Sequence, residues 1–99
     1  MINVEDIARI DSAIFETANY FAIFEAGCFV HPATEKTDVA IPMLLREWRA
    51  AVRACREGRD GGMHLQRARG AAVCIRDACG AGACIIEPET KTPVTTPRG

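Results

Sequence analysis

At 99 residues, with 48% apolar and 25% charged side chains and a formal net charge of −1, the chain has the make-up of a single ordinary globular domain. No window approaches about 18 uninterrupted apolar residues, which excludes a membrane-spanning helix. The slightly acidic balance lacks the long-range positive field of a typical nucleic-acid binder.

The first residues, MINVEDIARID, are acidic and lack the basic start and compact apolar run of a signal peptide, so a cytoplasmic protein is expected. A helix is predicted from Val4 to Ala26, capped by Asn3 and ended by Gly27, with Glu5 and Asp6 where the helix dipole favours acids. Its apolar arc spans roughly 200°, whereas about 100° suffices to face one core. Ile10, Ile14, Phe21 and Phe24 hold one side of that arc, with Ile7 on the same face. Val4, Ala8, Phe15, Ala22 and, if the helix continues, Phe29 hold the other, while Tyr20 and Ile23 fall outside both. Five of the six aromatic residues lie between residues 14 and 29. One side is therefore expected to face inward, and Val4, Ala8, Phe15, Tyr20, Ala22, Ile23 and Phe29 to form a partner or homodimer surface.

Residues 27–38, GCFVHPATEKTD, read as a loop because Pro32 and the polar run stop a helix. A second helix is predicted from Thr37 or Asp38 to Gly58, with Pro42 in its first turn. Its inward stripe is Ile41, Leu44, Leu45, Trp48, Ala51, Val52 and Cys55. The turn GRDGG is short enough to make antiparallel neighbours of this helix and a third, Met63 to Cys79. Leu65, Ala68, Ala72, Ile75 and Cys79 form the inner face of that third helix, with Ala71 beside it, and their mostly small side chains permit close approach. Residues 81–99, with three prolines and four threonines, read as an extended or flexible arm in which Cys84–Ile86 adds a short strand or docked segment. The expectation is thus an all-α domain over residues 1–80, a three-helix arrangement carrying a C-terminal arm and forming a homodimer.

The five cysteines, Cys28, Cys55, Cys74, Cys79 and Cys84, are odd in number and are expected as reduced thiols. None forms the close pair that structural zinc sites use, so no metal is expected. CGAGAC, residues 79–84, resembles the opening of the cluster loop of plant-type and molybdenum-hydroxylase [2Fe–2S] domains. That loop needs a third cysteine where Glu87 stands, and the flanking segments read as helices instead of strands. No cofactor is expected. His31 reads as a loop residue and His64 as a capping or partly buried one. No phosphate loop and no hydrolase or metalloprotease motif occurs, so no enzyme is expected.

Charge is unevenly placed: residues 1–45 carry a net −5 and residues 46–99 a net +4. Arg46, Arg49, Arg53 and Arg56 make one ridge beside the Trp48 stripe. Three uses compete: a solvated face or pairing with the acidic first helix, contact with an acidic protein surface, or tracking of phosphates. Glu47 and Glu57 on the same helix and the lack of interleaved aromatics count against nucleic acid. The second helix is also too long, and its turn too loose, for a helix-turn-helix reader. The chain is expected to be a small bacterial regulator acting on another protein, foremost an anti-activator or anti-sigma-like antagonist of a transcription factor. A nucleic-acid-binding module using the arginine ridge is the alternative, and a secretion chaperone or toxin-neutralising protein a further one.

Overall fold

The computed structural model describes residues 4–87 and 93–94. Among the described residues there are four helices and a small three-stranded antiparallel sheet, whose Val30 and Ile85 join the helices in one core. The expected N-cap Asn3 and most of the expected arm, residues 88–92 and 95–99, lie outside the described residues.

The long first helix is broken into α1 (Val4–Ile10) and α2 (Ser12–Glu25). Asp11 between them is extended, with φ −121° and ψ 109°, and its carboxylate accepts from the amides of Ala13 and Ile14 at 3.0 and 3.4 Å. An aspartate offers the backbone this alternative to a continuous helix, which helical periodicity alone does not register. The break re-aims the two pieces. Val4, expected outside, is buried, and Ile10, expected inside, is exposed. On α2, Ile14, Thr17, Tyr20 and Phe24 are buried. The Thr17 hydroxyl is accommodated there by donating to the Ala13 carbonyl at 2.7 Å.

The strand β1 (Phe29–His31) and the helix α3 (Glu35–Arg56) follow. α3 begins two residues before the earliest predicted start, because Thr34 and Thr37 form a reciprocal capping box. Pro42 therefore lies inside the helix and not in its first turn. The buried face of α3 is Thr37, Ala40, Leu44, Glu47, Trp48, Ala51 and Ala54. Ile41, Leu45, Val52 and Cys55, expected inside, are half-buried. The face is rotated because α4 (Gly62–Gly80) covers α3 from one side, its own buried residues being the five expected on its inner face and Ala71 beside them.

Gly61, the N-cap of α4, packs tightly against α3. A Cβ there would sit 3.0 Å from the Ala51 carbonyl oxygen and 3.3 Å from the Ala54 Cβ. Its φ of −97° suits any residue, so the demand is one of space alone. Gly61→Val is expected to destabilise the fold by about 1–3 kcal/mol, the range for overpacking, read as a lowered urea midpoint at unchanged slope.

The segment read as a loop contains β1, which pairs antiparallel with β2 (Cys84–Ile86), placing Val30 opposite Ile85. Both are buried, while their neighbours Phe29, His31 and Cys84 are exposed. β2 in turn pairs with β3 (Pro93–Val94). The fold is thus mainly helical but not all-α, and Ile85 belongs to the same core as Ile75 and Phe24.

Candidate partner surface

The seven residues expected at a partner surface separate into three groups. Val4 and Tyr20 lie in the core of the chain itself, so they offer nothing to a partner. Ala8 and Ile23 are half-buried against that core. Phe15, Ala22 and Phe29 are exposed, Phe15 to 57%. Phe15 and Ala22 are seven residues apart on α2, hence on one stripe of it, turned away from Ile14, Thr17 and Phe24. At the α1–α2 elbow, Ala8, Arg9, Ile10, Ser12 and Phe15 line an open notch. Ile10, at 85% exposure, stands on its rim and was missed because it was assigned to the core. Phe29 is on β1, the outer strand of the sheet.

The aromatic segment thus divides between stacked and exposed rings. Tyr20 stacks on Phe24 with centroids 6.2 Å apart, and Phe21 stacks on Trp48 at 5.8 Å. Phe15 and Phe29 remain in solvent.

The arginine ridge runs along the exposed side of α3. Arg49 reaches back to α2: its guanidinium lies 3.6 Å from the Glu25 carboxylate and 5.7 Å from the centre of the Phe21 ring. Arg76 of α4 reaches Glu16 at 3.3 Å. Arg49–Glu25 and Arg76–Glu16 thus join the acidic first part of the chain to the basic second part. Arg46, Arg53 and Arg56 make no ion pair among the described residues.

Glu47 does not belong to the ridge. It is buried between α3 and α4, with its side chain 7% exposed, where it meets His64 Nδ1 at 3.1 Å and accepts from Arg67 at 3.3 Å. Burial pushes its carboxyl up, but the hydrogen bonds and charges of His64 and Arg67 outweigh this and hold it below the usual range. The geometry is a cross-helix clamp. Its signal was in the sequence, since Leu44, Glu47, Trp48 and Ala51 follow the i, i+3, i+4, i+7 spacing of a single face.

Tyr20 is the only tyrosine. Burial, with smaller contributions from Cys79 and Glu16 and opposition from Arg76, pushes its phenol up to about 12. Absorbance titration near 295 nm is expected to show no ionisation at pH 10–11 in the folded chain. The unfolded chain binds fewer protons than the folded one in this interval, so stability falls as pH rises from about 10 to 12. Cys79 nearby is also pushed up, by burial and then by Cys84.

All five cysteines are free. Among the described residues no three His, Cys, Asp or Glu side chains gather to hold a metal ion, and no helix is long and apolar enough to cross a membrane. A shallow groove of about 660 Å³ runs between Pro32–Lys36 and the end of α4, with Cys74 on its wall. Compared with known proteins, the chain matches no family model, no curated protein and no solved structure.

Proposed function

We propose that the chain acts without catalysis, by binding another protein through the outer stripe of α2 and the elbow beside it. The observation that carries this reading is the exposure of Ile10 and Phe15, two large apolar side chains flanking one notch. Apolar residues grouped in this way mark contact sites more often than isolated ones do, and an aromatic side chain is a common anchor of such contacts. The biological role proposed is that of a small bacterial regulator antagonising a transcription factor. Phe15 and Ala22 also provide a face through which two copies of the chain pair.

Affinity capture of the tagged chain from its native lysate, with mass spectrometry and a solution mass, tests this. Wild type is expected to retain one protein in fixed stoichiometry or to run as a dimer, and Phe15→Asp to lose that association while remaining helical. Retention of nothing by a monomeric wild type would contradict the reading. A transcription factor among the retained proteins decides the proposed role; a secreted protein or a toxin in its place would assign a chaperone or neutralising role.

A further inference from the structure

We infer that the arginine ridge of α3 receives an acidic segment of the protein partner, rather than a nucleic acid. This rests on the proposed protein-binding role and names the chemistry of the partner. Arg46 and Arg53 are seven residues apart, as are Arg49 and Arg56, so the four guanidinium groups share one side of the helix. From Arg46 to Arg56 the row is about 15 Å long, the length of two to three turns of a facing helix. Three of the four carry no ion pair among the described residues, while Arg49 is taken by Glu25.

That pair joins the ridge to the apolar stripe. Glu25 lies at the end of α2, the helix that exposes Phe15 and Ala22. The end of α2 therefore lies beside the basic side of α3, and a partner lying along α2 reaches the ridge there. The complement of such a surface is an apolar patch flanked by carboxylates.

Two observations favour protein over nucleic acid. The aromatic rings nearest the ridge are already occupied: Trp48 is buried and Phe21 is held between Trp48 and Arg49, so neither stacks on a base. Exposed acids also frame the row, with Glu35 and Asp38 at the start of α3 and Glu57 just past its end. They would repel the continuing backbone of a duplex but not a carboxylate segment of limited length.

The test uses the full chain and defined probes. These are an 18-residue alanine-based helical peptide with glutamates on one face, its lysine counterpart, and a 20-base-pair DNA duplex. Arg53→Glu and Arg69→Glu change net charge equally but differ in place, since Arg69 is exposed on α4. The acidic peptide is expected to bind at low salt and to weaken as the screening length shortens. Arg53→Glu should weaken binding about threefold and Arg46→Glu/Arg53→Glu about tenfold, in keeping with modest single surface pairs. Arg69→Glu and the lysine peptide should show no effect and no binding, respectively. The inference is overturned if the acidic peptide does not bind, if Arg69→Glu weakens it as much as Arg53→Glu, or if the duplex binds as tightly. These probes carry no apolar anchor, so their failure leaves the α2 surface standing. A monomeric wild type that captures no protein yet still binds the peptide would remove the α2 surface alone.

Discussion

Phe24→Asp is expected to unfold the chain, whereas Phe15→Asp should melt within a few degrees of wild type. Phe24 is 4% exposed and stacks on Tyr20, so an aspartate there would bury a charge without a partner. That costs several kcal/mol unless the carboxyl is neutralised, against a total stability of about 5–15 kcal/mol. Phe15 is more than half exposed and sits four residues after the N-cap Asp11, near the helix end that favours acids. Far-UV circular dichroism and thermal melts separate the outcomes, since 1 kcal/mol shifts Tm by about 4–8 °C in a domain of this size. Equal unfolding by both variants would mean that α2 has no face turned away from the core. Phe21→Asp should fall between the two, because that ring is half-buried and Arg49 beside it would offer the new carboxylate a partner.

The second large effect concerns the clamp. His64→Ala/Arg67→Ala should destabilise the fold by about 3 kcal/mol, because the Glu47 carboxylate stays buried while both hydrogen-bond partners are gone. Glu47→Gln should cost less, since it removes the buried charge along with its pairing. The two can also be told apart by pH. In the folded chain Glu47 is held below its unfolded value of 4.5, so between those values the unfolded chain binds more protons. The clamp's contribution is full above about pH 4.5 and is lost as pH falls through the lower folded value. Urea midpoints of wild type should therefore decline on acidification more steeply than those of Glu47→Gln. Parallel declines would show that Glu47 is not the group that titrates.

The α3–α4 hairpin was legible in the sequence. Leu65, Ala68, Ala72, Ile75 and Cys79 were placed on the inner face and all are buried, as is Ala71, read as lying beside it, because a helix covered from one side obeys its own periodicity. The first helix was less legible. Its apolar arc was read as too wide for one core, yet Val4, Ile14, Tyr20 and Phe24 share one, because the axis changes at Asp11, where a side chain competes for backbone amides. Val4 and Ile10 exchanged places as a result. The sheet was half legible: Cys84–Ile86 carried strand character, while Phe29–His31 sits beside Pro32 and reads as loop. What makes β1 a strand is Ile85, more than fifty residues away, and no local pattern records a long-range pairing. Among the candidate contacts, Phe15, Ala22 and the arginine ridge lie on the surface as read. Tyr20 did not, because it stacks with Phe24 four residues along the same face.

The central claim is that the face of α2 carrying Phe15 is where another protein chain sits. Its most direct test is a photo-crosslinking amino acid placed at Phe15 in the native cell, with Met63, exposed to 66% on α4, as the control position. A discrete crosslinked protein from Phe15 and none from Met63 is the result the account predicts. No product from Phe15, or the same products from both positions, would contradict it.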